Sequence, residues 1–173
     1  GKICFMLQEQ YRAYRNEDRS RKKQTALSMM VLRKMLHNSV SEKDTALTWL
    51  LIGAIFFAMR LCEYLHTSAE ESKCTKIIRL KNITFKLGNS ILQHSDPMLH
   101  SATLVRIQFK YQKNEKRDIR VHMFKSGDSC LCPVIAWSTT VRRIMSIPNS
   151  SPDTKVCAFK DKSGNISNIT AEH

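Results

Sequence analysis

The sequence lacks an apolar run long enough to cross a membrane. Its most apolar stretch, residues 45–59, lies between Asp44 and Arg60, whereas a transmembrane helix needs about 20 residues. A helix that is apolar on all sides but too short to span a bilayer is typical of a buried core. No secretory signal, low-complexity segment or internal repeat is visible, so we expect one globular domain with a short appendage.

The cysteines lack the spacing of a zinc site or a disulfide framework. Cys62 and Cys157 lie in apolar stretches, where a free cysteine behaves as a small buried hydrophobe. Cys130 and Cys132 form a C-x-C motif without a second pair of cysteines or histidines at zinc spacing. We therefore expect reduced thiols in an intracellular compartment, the nucleus in a eukaryote, and neither a metal nor another cofactor.

Negative charge is scarce. There are 15 Asp and Glu residues against 28 Lys and Arg, which gives a net charge of +13 and a pI near 9.7. Such an excess suits a polyanionic partner, with nucleic acid ahead of an anionic membrane surface. On charge alone, the plainer alternative is a basic surface with no partner.

Helical spacing of apolar residues predicts three helices. Thr25 or Ser28 caps the first, which runs through His37, and Ser41 caps a core helix over residues 42–66. The third helix begins at Pro133 and ends by Pro148. The aromatic residues of these helices lie at core spacing: Trp49, Phe56, Phe57 and Trp137. They are therefore expected to be buried, and we expect no stacking platform for single-stranded nucleic acid.

Strand patterns complete an α+β domain, in which helices surround a small antiparallel sheet. Residues 104–111 and 119–123 alternate between apolar and polar side chains, and a polar loop with three basic residues joins them. This pattern predicts a β-hairpin with a positively charged tip. Shorter strands are expected over residues 76–85, 90–93 and 155–159, and Thr170 is expected to cap a helix that barely begins before the chain stops.

Two groups of residues suggest phosphate chemistry. Arg60 and Glu63 are three positions apart on the core helix, so they are expected on one face. They form either an ordinary helix-end pair or a rigid guanidinium that grips two phosphate oxygens. Lys113 lies in the hairpin loop; such a lysine is either merely solvated or enters a DNA groove and donates a proton to a leaving 5′ oxygen.

Four segments, in the right order, resemble tyrosine recombinases of the integrase type. AMRLCEYL, residues 58–65, resembles the family's first active-site box, in which a catalytic arginine precedes an acidic residue by three positions. VRIQFKYQKNEKRDIRV resembles its β2–β3 hairpin, and LCPVIAW the next helix in eukaryotic integrase-like and Crypton-type members. RNEDRSRKKQTAL is similar to the linker between the core-binding and catalytic domains.

The resemblance implies site-specific breakage and rejoining of duplex DNA through a 3′-phosphotyrosine, without metal or ATP. Arg60 matches the arginine that contacts non-bridging oxygens of the scissile phosphate, and Glu63 matches the acidic residue that supports it. Lys113 matches the general-acid lysine, with Lys110 and Lys116 as alternatives if the hairpin register differs. The basic side chains expected to bind DNA are Lys110, Lys116 and Arg117.

Half of the family's active site has no counterpart in the sequence. No His-x-x-Arg occurs, and the tyrosines all lie at or before the hairpin: Tyr11, Tyr14, Tyr64 and Tyr111. Residues 1–24 are therefore expected to be the end of a core-binding region with its linker, and residues 25–173 the front of a catalytic domain. Alone, the chain should not cleave DNA; the full-length parent would assemble as an oligomer on it.

Two other interpretations remain open. One is a decayed or domesticated relative that binds DNA without catalysis, which would have the same residues over this range. Alternatively, it is a basic module of another class that binds RNA or a protein. In that case replacing Arg60 would cost no more than losing any other surface charge.

Overall fold

A computed structural model describes residues 27–67, 76–111 and 117–171, apart from the side chains of Tyr111 and Arg117. This part of the chain is α+β. Its helices are α1 (Met29–Asn38), α2 (Glu42–Phe56), α3 (Leu61–Tyr64) and α4 (Pro133–Met145). Its strands are β1 (Ile83–Leu87), β2 (Ser90–Leu92), β3 (Leu104–Tyr111), β4 (Arg117–Phe124), β5 (Ala158–Lys160) and β6 (Ile166–Asn168).

Side-chain caps begin the first two helices as the sequence predicts. The Ser28 hydroxyl accepts a hydrogen bond from the Val31 amide at 3.3 Å, which selects Ser28 over Thr25 as the cap of α1. Ser41 and Asp44 form a reciprocal capping box at the start of α2. Pro133 occupies the first turn of α4, where its missing N–H leaves no hydrogen bond unmade. All three predicted starts are confirmed.

The prediction of one core helix over residues 42–66 is wrong, because the chain leaves the helix after Phe56. Ala58 has a left-handed φ of 48°, and its amide donates to the Ile55 carbonyl at 3.0 Å. The Met59 amide donates to the Ala54 carbonyl, also at 3.0 Å. This pair of bonds is a Schellman motif, which closes a helix by satisfying its last carbonyls. Arg60 therefore precedes the separate helix α3.

The main sheet is antiparallel with strand order β2-β1-β3-β4. β3 and β4 form the predicted hairpin, in register from Leu104↔Phe124 to Tyr111↔Arg117. The strand expected over residues 76–85 begins only at Ile83, because a 3₁₀ turn, Leu80–Asn82, precedes β1. Downstream, the expected strand at 155–159 is found as β5, shifted to Ala158–Lys160 and paired with β6.

The core lies between the main sheet and the helices α2 and α4. Ile107 of β3 and Trp137 of α4 are both fully buried in it. Arg143 of α4 links α2 and β5, since its guanidinium lies 3.2 Å from the Glu42 carboxylate and donates to the Ala158 carbonyl at 2.8 Å. In the described ranges, no helix is long and apolar enough to cross a membrane.

Two smaller expectations have different outcomes. Of the cysteines expected to be buried hydrophobes, Cys157 is buried and Cys62 is half-buried; both are free thiols. Thr170, expected to cap a helix, instead forms a parallel β-bridge with His66. The helix expected beyond Thr170 would begin at Ala171, which is not helical, and its remaining residues, 172–173, lie outside the described residues, as does the linker expected over residues 1–24.

Candidate nucleic-acid interface

Arg60 is exposed at the N-cap of the short helix α3, and its backbone is held by two hydrogen bonds. The Glu63 carboxylate accepts a hydrogen bond from the Arg60 amide at 2.8 Å. The Glu63 amide in turn donates to the Arg60 carbonyl at 2.9 Å. Glu63 is only 3 % exposed. Glu63 therefore fixes the main chain of Arg60, and the two residues do not share a face of the core helix, which ends before them.

A strained turn precedes Arg60. Ala58, two residues earlier, adopts a left-handed conformation that costs a non-glycine residue about 1 kcal/mol or more. The two Schellman hydrogen bonds, donated by the Ala58 and Met59 amides, hold it there. The turn redirects the chain out of the buried helix α2, so that Arg60 projects at the surface.

Helix α3 is joined to the segment that leads into the sheet. The Ile78 amide donates to the Glu63 carbonyl at 2.9 Å, and the Val156 amide donates to the Ile78 carbonyl at 3.1 Å. Arg79 forms an isolated antiparallel bridge with Lys155. These bonds fix the segment of residues 76–82 between α3 and the chain that precedes β5.

A basic cleft of about 350 Å³ opens where this segment diverges from β3. β1 pairs with β3 only as far as Ile83↔Ile107, so the end of β3 towards the hairpin has no β1 partner. We call this space the basic cleft. Its charged and polar lining consists of Lys76, Arg79, Lys81, Asn82, Gln108, Lys110 and Asp153.

One carboxylate partly balances the cations of the cleft. Lys81 forms an ion pair with Asp153, and the Arg79 guanidinium donates to the Asp153 backbone carbonyl at 2.6 Å. The hydrogen bond from Lys81 lowers the pKa of the exposed Asp153 carboxyl, with smaller contributions from the charges of Lys81, Arg79 and Lys110. Four cationic side chains against one carboxylate leave an excess of three positive charges.

The structure brings only some of the predicted site residues together. Lys110 is exposed and lines the basic cleft. Lys113 and Lys116 lie outside the described residues. Arg117 begins β4, opposite Tyr111, but its side chain is not described. Of the hairpin candidates, Lys110 is therefore the one whose surroundings are defined.

Three cleft residues were missed by sequence reasoning: Lys76, Arg79 and Lys81. Ile77, Ile78 and Leu80 between them are buried, so this segment interleaves basic and apolar side chains just before β1. The sequence contains that pattern, but its apolar residues also fit a strand, which is the element predicted for residues 76–85. Lys81 contacts Asp153, which lies 72 residues further along the chain. No pattern near either residue predicts that contact.

No known protein family, curated protein or solved structure matches this chain. In the described part of the chain, no group of three or more His, Cys, Asp or Glu side chains is placed to hold a metal ion. Function is therefore inferred from Arg60, the basic cleft and the hairpin.

Proposed function

We propose that this chain binds duplex DNA through Arg60, the basic cleft and the β3–β4 hairpin, as part of a tyrosine-recombinase-like catalytic domain. The observation that carries the proposal is the setting of Arg60. Because a buried carboxylate fixes the backbone of this exposed arginine, only its side chain has to be ordered when it binds a phosphate. Its planar guanidinium can then grip two phosphate oxygens at once.

The basic cleft supports contact with the sugar–phosphate backbone. Lys76, Arg79 and Lys110 supply charge beyond the Lys81–Asp153 pair. Each phosphate that they neutralise releases condensed counterions, and this release drives binding independently of base sequence. The hairpin runs from this cleft towards the loop that contains Lys113 and Lys116.

Strand cleavage would need residues beyond those in this sequence. In the recombinase reaction, Arg60 would stabilise charge on the non-bridging oxygens of the scissile phosphate, and Lys113 would protonate the leaving 5′ oxygen. The described tyrosine Tyr64 is only 7 % exposed, and burial raises the pKa of its hydroxyl. Both properties oppose a role as nucleophile.

The first test is duplex binding measured by fluorescence anisotropy across a salt series. Affinity should fall steeply between about 50 and 200 mM salt, with a log–log slope near −0.9 for each phosphate neutralised. Lys110→Gln should make that slope less steep by about 0.9, the contribution of one phosphate contact. Lys162→Gln is the matched control, because Lys162 is an exposed lysine that does not line the basic cleft. A duplex affinity that does not change with salt concentration, or equal changes of slope in the two variants, would contradict the proposal.

The second test separates Arg60 from a general surface charge. We expect Arg60→Ala to weaken duplex binding more than Lys162→Gln does, and Arg60→Lys to recover only part of the loss, because an ammonium cannot form the bidentate contact. If the chain is instead an RNA- or protein-binding module, Arg60→Ala should act like any other lost charge.

Catalysis is tested separately from binding. With a nicked duplex substrate that traps covalent intermediates, we expect no protein–DNA adduct from this chain alone. An adduct on any of its tyrosines would overturn the assignment of the missing nucleophile, while leaving DNA binding intact.

A further inference from the structure

The main sheet presents a basic outer face opposite the core. Along β3, Val105, Ile107 and Phe109 point into the core, so the side chains between them point outwards. Those of β4 alternate in the same way. We call the solvent-facing side chains of these strands the outer face; its cations are Lys86 of β1, Arg106 and Lys110 of β3, and Arg120 of β4.

Negative charge is scarce on the outer face. Asp118 accepts a hydrogen bond at 3.0 Å from the side-chain amide of Gln108. Within the described residues of β3 and β4, Asp118 is the one acidic side chain. The outer face is therefore suited to an anion rather than to a basic peptide.

An aromatic pair lies at one end of this face. Phe124, the last residue of β4, is 67 % exposed, and His122 contacts it edge to face with ring centroids 5.7 Å apart. The two rings are perpendicular, so the imidazole leaves at least one flat face of the exposed phenyl ring uncovered. The expectation that the chain has no stacking platform rested on the helical aromatic residues alone and did not consider Phe124.

The sheet register places cations beside the aromatic pair. Arg106 lies directly opposite His122 and diagonal to both Arg120 and Phe124. Diagonal neighbours across an antiparallel pair are about 7–8 Å apart, within reach of long side chains. One arginine thus lies between an exposed ring and a second arginine, and the three groups form a short track across the two strands.

We infer that this track binds single-stranded nucleic acid, with an unpaired base stacked on Phe124 and flanking phosphates on Arg106 and Arg120. A base offers its π-face only when it is unstacked, which favours a single strand over a duplex. Aromatic stacking combined with a basic groove is how proteins bind single strands without sequence preference. Arg106, Arg120 and Phe124 do not line the basic cleft, although Lys110 of the outer face does, so the inference does not depend on the duplex proposal.

The test uses a fluorescent oligothymidine of about ten nucleotides, within the usual site size for such surfaces. Phe124→Ala should weaken binding about tenfold, the effect expected for one lost stacking contact, whereas Phe124→Trp should retain it. Met30→Ala is the matched control, because Met30 on α1 is also 67 % exposed but lies away from the sheet. Circular dichroism verifies that each variant is folded.

Charge is tested on the same probe. Arg106→Gln should reduce the salt dependence of oligothymidine binding, whereas Arg142→Gln, at an exposed position on α4, should not. No binding of oligothymidine at low salt, or equal losses from Phe124→Ala and Met30→Ala, would overturn the inference. A duplex affinity that falls with Lys110→Gln but not with Phe124→Ala would show that the two sites are separate. Either proposal can therefore fail without the other.

Discussion

The two faces of the main sheet come from alternate residues of the same strands, yet their surroundings are opposite: one face packs against the core and the other faces solvent. On β3, Ile107 is fully buried against the helical layer, whereas its neighbour Arg106 faces outwards. Two adjacent positions of one strand therefore differ: Ile107 stabilises the fold, and Arg106 is available for binding. Stability and nucleic-acid binding should separate cleanly between adjacent substitutions.

The largest effect should come from the inner face. Ile107→Ala removes buried methyl and methylene groups and should lower the free energy of unfolding by about 2–5 kcal/mol. Arg106→Gln, one residue away, should change it by no more than about 0.5 kcal/mol. Urea denaturation of both variants measures the two free energies of unfolding. Similar losses would mean that the outer face also stabilises the fold.

A second stability test concerns the contact between α2 and α4. A Cβ added at Gly53 would lie 2.8 Å from the Trp137 Nε1 atom, closer than carbon and nitrogen tolerate. Gly53→Ala should therefore cost about 1–3 kcal/mol of unfolding free energy. Gly127→Ala is the control, because a Cβ there meets nothing within 4 Å. A neutral Gly53→Ala would show that the two helices separate easily.

Glu63 links the buried side of the molecule to the exposed arginine. Glu63→Ala removes the acceptor for the Arg60 amide and should cost about 1–3 kcal/mol of stability. Duplex affinity should fall as well, since the backbone of Arg60 is released. Glu63→Gln keeps an acceptor oxygen and should retain most of both properties. Unfolding and anisotropy are measured on the same samples; full duplex affinity in a folded Glu63→Ala would refute the positioning role.

The smallest effect is a pH dependence on the helical side. Burial, then the charges of Arg142 and Lys125, lower the pKa of His100 below 6.5, and its Nδ1 lies 2.7 Å from the Ser138 hydroxyl. As the pH falls below 6.5, the unfolded chain takes up the proton more readily than the folded one, so stability should decline. Thermal unfolding at pH 7.5 and 5.5 should show a smaller decline in His100→Gln. An equal decline would assign it to other groups.

Local signals predicted much of the fold. The hairpin followed from the alternation around Ile107, and the helix starts from Ser41 and Pro133, because each pattern is encoded within a few residues. The end of α2 was missed, since its Schellman turn uses Ala58 rather than a glycine or proline that would mark it.

The candidate site was only partly predictable, for a different reason. Arg60 and Lys110 stood out by residue type and position, but the basic cleft depends on contacts between distant segments. Asp153 meets Lys81 through the packing of residues 76–82 beside the chain that precedes β5. Nothing in the spacing of either segment specifies that meeting.

Hydrogen exchange with and without a short duplex is the most direct test of where DNA binds. Proposed contacts through Arg60 and the basic cleft predict added protection in residues 60–64, 76–82 and 108–111, with α1 unchanged. Protection confined to α1, or absent at a DNA concentration that saturates anisotropy, would contradict the proposed duplex-binding site.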